Sequence, residues 1–173
     1  TPADPRLWLE EVEGADALGW VRERNARTLG TLGATPAFAR TQAAIQAVLD
    51  ADARIAEVAK IGEHCYNFWK DAGHPLGLWR RTTLAEYRGD QPAWETVLDL
   101  DALAAAEGVQ WVWHGASVLR PAYRKALLSL SRGGADADVT REFDLVAKAF
   151  VTPEAGGFFR PESKGGLAWI DDD

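Results

Sequence analysis

The chain of 173 residues contains one cysteine, three histidines and no methionine. Because a disulfide needs two cysteines, the single Cys65 excludes an internal disulfide framework and fits a reducing compartment. The three histidines, His64, His74 and His114, stand far apart along the chain. Isolated histidines of this kind are more typical of surface or packing positions than of metal ligands.

Long apolar runs and excess positive charge are also absent. No stretch of 18 apolar residues is present, which argues against a membrane span. The net charge of −7 argues against nucleic acid or anionic lipid as a partner, since both require a positive field. Residues 1–5 lack the basic and apolar regions of a signal peptide. We therefore expect a cytoplasmic protein, or a periplasmic one if a signal peptide has been removed.

Tryptophan, in contrast, is abundant, with eight residues in a chain that is 47% hydrophobic. That apolar content is typical of a globular protein. Because tryptophan buries a large ring, we expect most of these side chains to pack in cores and on sheet faces.

The first third of the chain has a helical period. Residues 16–32 carry an apolar stripe at helical spacing, and Asp16 suits a first turn because of the helix dipole. Thr35 and Pro36 predict the start of a second helix that ends near residues 50–52. The mostly apolar stripe of the first helix consists of Leu18, Val21, Asn25, Leu29 and Leu32. The predicted buried face of the second helix consists of Phe38, Thr41, Ile45, Val48 and Leu49.

After residue 55 the pattern changes to short strands separated by turn residues. A turn is expected at residues 74–77, a short helical insertion at 101–108 and a further strand from Gly166 to Ile170. Strands at this spacing suggest a sandwich, barrel or propeller, and the fold class is therefore α+β, with antiparallel sheets after the helices. A loosely similar hairpin recurs after about 50 residues, within the range of propeller blades. The predicted strands are residues 65–70, 78–83, 94–100, 111–119 and 125–131, with one or two strands in 141–151.

Two serines lie in sequences that partly resemble a nucleophile elbow, in which a serine stands between glycines at a strand-to-helix turn. Ser117 follows Gly115 but lacks the second glycine, and Ser131 precedes Gly133 and Gly134 but lacks the first. The last histidine is His114, so no histidine follows either serine, as a hydrolase of that type requires. We interpret both as strand serines.

The sequence contains no stronger candidate for a metal-binding, acid–base or anion-binding site. Glu63, His64 and Cys65 are adjacent, and neighbouring strand residues point to opposite faces, so they are poorly placed to share a metal ion. The carboxylate runs Glu10–Glu13 and Asp171–Asp173 have no apolar setting that would raise a pKa, and solvated surfaces are expected. Arg80 and Arg81 are the densest basic pair, and one of them is expected to face outward. The sequence thus predicts no catalytic residue, metal site or cofactor.

Several segments together resemble the amino-terminal part of the prolyl oligopeptidase family of serine peptidases. The opening has the form Asp-Pro-x-x-Trp-Leu-Glu, and a helix with Trp-Val and a later Asn follows it. The segments 101–108 and 153–166 depart from the family pattern. The segments that carry the resemblance are Asp4–Glu10, Trp20–Val21, Asn25, Tyr66–Trp69, Leu78–Thr82 and Val97–Leu100.

The resemblance implies an α/β-hydrolase domain capped by a seven-bladed β-propeller, with the serine, aspartate and histidine near the far end of the full chain. Residues 1–52 would then be helices that pack on a hydrolase domain, and residues 53–173 would be about two propeller blades and the start of a third. Both ends look cut. We expect an amino-terminal, non-catalytic part of an enzyme that hydrolyses short peptides, after proline in typical members.

The resemblance also implies partners for the exposed parts of such a fragment. Apolar helix faces would pack on the missing hydrolase domain, and open sheet edges invite self-association. Two alternatives remain at this point. One is a free-standing, tryptophan-rich protein-interaction module, and the other is a small hydrolase that uses Ser117 or Ser131.

Overall fold

A computed structural model describes residues 4–51 and 53–171. The chain divides into two compact units, Thr1–Leu49 and Asp50–Asp173, which we call the helical unit and the sheet unit. The sequence predicts that residues 1–52 pack on a hydrolase domain and that residues 53–173 form propeller blades. These roles in a longer protein stay a prediction.

The helical unit consists of two helices and short turns. A 3₁₀ turn at Leu7–Glu10 precedes α1 (Ala15–Thr28), and a π-helical turn at Leu29–Gly33 leads to α2 (Pro36–Leu49). Helix α2 begins where the sequence predicts, because the Thr35 hydroxyl accepts a hydrogen bond from the Phe38 amide at 3.2 Å. Asp16 lies in the first turn of α1, also as predicted.

The apolar stripes of both helices are exposed. Ala17 is the one buried residue among residues 4–49. Leu32 is 65% exposed and Val48 is 66% exposed, so the buried face predicted for the second helix is not covered within the described residues. The resemblance predicts such exposure for helices that pack on a further domain. Helical period alone identifies an apolar face, but burial requires a second surface to cover that face.

The first sheet is an antiparallel meander in the order β1-β2-β3-β4. The turn between its central strands is formed by Asp71, whose Oδ1 atom accepts hydrogen bonds from the Gly73 and His74 amides at 2.9 and 2.8 Å. The expected turn at 74–77 is therefore wrong, because β3 already begins at His74. The elements are β1 (Ala59–Ile61), β2 (His64–Asp71), β3 (His74–Thr83), α3 (Leu84–Tyr87) and β4 (Glu95–Asp99).

Helix α4 (Leu100–Glu107) connects the two sheets and confirms the predicted helical insertion. The Asp99 side chain caps it by accepting from the Ala102 amide at 2.9 Å. The second sheet has the order β5-β6-β7-β8, and β9 also pairs with β7. Its strands are β5 (Trp111–Val118), β6 (Lys125–Arg132), β7 (Asp138–Asp144), β8 (Ala149–Phe150) and β9 (Phe159–Ser163).

Residues 166–170 form no strand, so this prediction is wrong. A strand needs a neighbour for its backbone hydrogen bonds, and no described strand pairs with this segment. The segment instead contacts the second sheet through Trp169, whose Nε1–H donates to the Ser117 carbonyl at 2.8 Å.

The core of the sheet unit lies between the two sheets. Trp79 is at its centre, with its ring centroid 5.2 Å from those of both Tyr66 and Trp113. On the other side of this core is the inner face of β6, where the alternating residues Ala126, Leu128 and Leu130 are fully buried. Helices followed by two facing antiparallel sheets confirm the α+β class, and each sheet is a sequential meander, the arrangement of a propeller blade.

Candidate functional site

Both candidate nucleophiles lie within strands. Ser117 is in β5 and Ser131 is the penultimate residue of β6. Neither strand is followed directly by a helix, so neither serine occupies a strand-to-helix turn. The Ser131 hydroxyl is buried and has no hydrogen-bond partner among the described residues.

The face of the second sheet that points away from the first carries a polar cluster. His114 Nδ1 lies 3.2 Å from Asp138 Oδ2, and the Arg160 guanidinium is paired with the other Asp138 oxygen. The Ser129 and Thr140 hydroxyls are hydrogen-bonded at 3.2 Å. No serine hydroxyl in the described part of the chain is hydrogen-bonded to His114, whereas a serine hydrolase needs that contact for proton transfer.

The adjacent Glu63, His64 and Cys65 do not converge on one point. Within residues 4–51 and 53–171, no group of three His, Cys, Asp or Glu side chains is placed to hold a metal ion. Cys65 is buried and its thiol is free, as suits a small apolar side chain.

The two carboxylate runs have the solvated character that the sequence predicts where they are described. Glu10, Glu11 and Glu13 are exposed, and so is Asp171, while Asp172 and Asp173 lie outside the described residues.

Arg80 and Arg81 point to opposite faces of the first sheet, with Arg80 on the outer face as the sequence predicts, and both are half-buried. The Arg80 guanidinium lies between two indole rings, 4.3 Å from the centroid of Trp69 and 4.2 Å from that of Trp94. Arg54 stacks on Trp69 as well, at 4.3 Å. This alternation of cations and rings covers the outer face of the first sheet.

Arg81 points inward and joins the two sheets. Its Nε donates to Glu95 at 2.5 Å, and its Nη1 donates to the Tyr66 hydroxyl at 3.2 Å and to the Leu145 carbonyl in the β7–β8 turn at 3.3 Å. Lys148, in the same turn, lies 2.6 Å from the other Glu95 oxygen. Hydrogen bonds from Arg81 and then Lys148 lower the pKa of Glu95 to about 2.

These polar networks were missed from the sequence because their members are distant along the chain. Arg81 and Leu145 are 64 residues apart, and His114 and Asp138 are 24 apart. The available signal was the pair Arg80–Arg81 in a strand next to an aromatic strand, which places one cation on each face of the sheet, with Arg80 beside indole rings. No described helix has the length and apolar character needed to cross a bilayer.

Taken together, the described residues present ordered sheet packing, structural ion pairs and an exposed helical surface. They present no linked nucleophile, base and acid.

The family model of the prolyl oligopeptidase N-terminal β-propeller domain matches residues 1–173. An uncharacterized peptidase of Sinorhizobium fredii is 42% identical over 171 residues, which cover 98% of this chain and 23% of that protein. An uncharacterized peptidase of Rickettsia prowazekii is 37% identical over 145 residues, which cover 83% of this chain and 20% of that protein. The chain thus spans about a quarter or less of the length of these relatives.

Solved structures give the same result. A post-proline cleaving enzyme from Rickettsia typhi superposes with a TM-score of 0.79 at 34% identity, over 88% of this chain and 22% of that one. Oligopeptidase B from Leishmania major superposes with a TM-score of 0.57 at 13% identity, over 84% of this chain and 20% of that one, and shares the fold. The opening motif, the two meander sheets and these matches agree that the chain belongs to the prolyl oligopeptidase family and forms the amino-terminal portion of its propeller domain.

Proposed function

We propose that this chain is the non-catalytic, amino-terminal part of a serine peptidase that hydrolyses short peptides after proline. The observation that carries the proposal is the match of the whole chain to about a quarter of a peptidase relative. The catalytic serine, aspartate and histidine would lie in a hydrolase domain outside these 173 residues. The whole enzyme would be cytoplasmic. The family match favours this function over a free-standing interaction module.

The two units would have different roles in such an enzyme. The sheet unit has its own aromatic core between two facing sheets, as expected of adjacent propeller blades. The helical unit exposes Leu29, Leu32, Ile45 and Val48, and an exposed apolar surface of this kind marks an interaction site. We assign the missing hydrolase domain as its partner.

The direct test is reconstitution of activity from two pieces. The 173-residue chain would be co-expressed with the part of the Sinorhizobium relative that follows the matched region, and cleavage of a chromogenic peptide after proline would be measured. We expect cleavage by the combination and none by the 173-residue chain alone. Turnover by this chain alone, abolished by Ser131→Ala or Ser117→Ala, would contradict the proposal.

A matched pair of variants tests the role of the helical unit in that assay. Val48→Asp introduces a charge on the exposed apolar surface of α2, whereas Gln42→Asp introduces the same charge at an exposed polar position of the same helix. We expect Val48→Asp to reduce reconstituted activity at least tenfold, because a buried unpaired carboxylate disfavours docking. Equal activity of the two variants would place the docking surface elsewhere.

Without its partner, the isolated chain would associate with itself. The exposed helical surface and the edge strands β1 and β4 offer apolar and backbone contacts to a second copy. Sedimentation at low micromolar concentration measures this, and a well-folded monomer would contradict it.

A further inference from the structure

A cavity of about 330 Å³ lies at the side of the sheet unit, between the end of α4 and the β8–β9 connection. Its walls are aromatic and aliphatic, and polar groups reach it from few positions. Concave, mostly apolar cavities with a few convergent polar groups are the usual form of a small-molecule site. Its lining includes Glu107, Trp111, Arg132, Arg141, Phe150 and Phe159.

Two arginines enter the cavity, and aromatic rings hold both. The Arg141 guanidinium carbon is 3.6 Å from the centroid of Phe150, and that of Arg132 is 5.3 Å from the centroid of Trp111. Stacking on a ring leaves the edge of a guanidinium free to donate in its own plane. The cavity therefore presents two oriented cationic edges beside apolar walls.

The carboxylate of Glu107, the one acidic side chain among the described residues that line this cavity, already accepts hydrogen bonds. Its Oε2 atom accepts from Trp111 Nε1 at 2.8 Å and from Arg141 Nη1 at 3.0 Å, and its Oε1 atom accepts from the same Nη1 at 2.8 Å. Arg132 uses its Nη1 atom for Glu162, at 3.0 Å. Nε and Nη2 of both arginines have no hydrogen-bond partner in the described part of the chain.

Among these side chains, the cavity therefore has more free hydrogen-bond donors, on the two arginines, than free hydrogen-bond acceptors. A ligand that fits must supply acceptor oxygens to the arginines and an apolar body to the walls. Guanidinium groups match the two oxygens of a carboxylate. The volume is near the lower limit of ligand cavities and suits a body of about one ring.

We propose that this cavity binds a small carboxylate with an aromatic body, recognised by Arg132 and Arg141 and packed against Trp111 and Phe159. The inference does not rest on the function proposed above. The exposed rim contains Phe159, which is 48% exposed. A bound ring would cover that side chain.

The test is a nuclear magnetic resonance titration of the 173-residue chain with 3-phenylpropanoate. The indole N–H resonance of Trp111, assigned by its loss in Trp111→Phe, reports on the cavity. We expect a saturable shift, with affinity about tenfold above that for the uncharged 3-phenylpropan-1-ol, because hydrogen bonds to a charged group are stronger. Equal affinity for the two probes, or no saturable shift up to a probe concentration of ~10 mM, would overturn the proposal.

The variant Arg132→Gln tests whether the charge of this arginine contributes to binding, independently of folding. The Arg132 side chain is 52% exposed, so its loss should leave the fold intact, as amide peak dispersion would verify. We expect at least fivefold weaker binding of the carboxylate and unchanged binding of the alcohol, because one charge-assisted contact is lost. Arg24→Gln, on the helical unit, is the matched control and should change neither affinity. Undiminished carboxylate binding by Arg132→Gln would also overturn the proposal.

Discussion

The helical unit and the sheet unit contain similar apolar residues but place them differently. In the sheet unit, Leu128, Leu130 and Phe143 are at most 1% exposed. In the helical unit, Leu29 and Leu32 are more than 60% exposed, although they lie at regular helical spacing. Apolar content therefore does not distinguish the two units, whereas the presence of an opposing surface does.

The difference follows from how each secondary structure buries its apolar face. Each sheet of the sheet unit covers the inner face of the other, and Trp79 packs between Tyr66 and Trp113. Two helices present one stripe each, and a stripe that is not covered gains little from the hydrophobic effect. From this contrast we expect the sheet unit to be the more stable part, and we propose that the helical unit binds another surface.

The largest expected effect is on core packing. Leu128→Ala in β6 should lower the free energy of unfolding by about 2–5 kcal/mol, because it leaves a cavity in a fully buried site. Leu32→Ala makes the same chemical change at an exposed position and should change stability by less than about 0.5 kcal/mol. Urea unfolding followed by tryptophan fluorescence measures both.

Comparable destabilisation by the two leucine variants would show that the helical stripe is buried in solution. Both variants should be compared at one protein concentration, because association through the helical surface would stabilise the folded chain by mass action.

A second pair of variants should change stability in opposite directions. Gly77 in β3 has φ = +114°, and an added Cβ would lie 2.4 Å from Cζ of Phe68, which stacks on Trp113. Gly77→Ala should destabilise the sheet unit by about 2–4 kcal/mol through strain and overpacking. Gly19 lies inside α1 with open space around it, and Gly19→Ala should stabilise that helix by about 0.5–1 kcal/mol.

Thermal unfolding followed by circular dichroism would measure both glycine variants. A stabilising Gly77→Ala would mean that the β2–β3 hairpin has a different backbone in solution. A destabilising Gly19→Ala would mean that a neighbouring surface approaches α1 at this position.

Local sequence patterns predicted most of the helices and strands. Contacts between residues distant in sequence determined the features that these patterns did not predict. Thr35 and Pro36 located the start of α2, because capping is a local interaction. The three-residue strand β1 was missed, since it is too short to show alternation. The segment 166–170 has strand composition but no neighbour to pair with, and local sequence carries no information on neighbours.

The family resemblance came from motif residues, whereas the details of the site came from the fold. The Asp4–Glu10 opening and the later aromatic strand were sufficient to identify the family. The Arg81–Glu95–Lys148 network and the cavity beside Arg141 join residues from different strands and loops. No spacing rule in one sequence could have placed them together.

The smallest expected effect is a pH dependence that belongs to the sheet unit. The pKa of Glu95 is lowered from 4.5 to about 2, chiefly by its hydrogen bond from Arg81. Because the folded pKa is below the unfolded one, this stabilisation is fully present above pH 4.5 and is lost as the pH falls toward 2. The Glu95 side chain is 42% exposed, so water screens the interaction and the effect should be modest.

Glu95→Gln should lower the urea midpoint at pH 7. It should also reduce the decrease of that midpoint between pH 7 and pH 2.5. Glu23→Gln, on the exposed surface of α1, should change neither quantity. An unchanged decrease in Glu95→Gln would show that other carboxylates, such as Asp71 and Asp144 with their lowered pKa values, account for the acid sensitivity of the sheet unit.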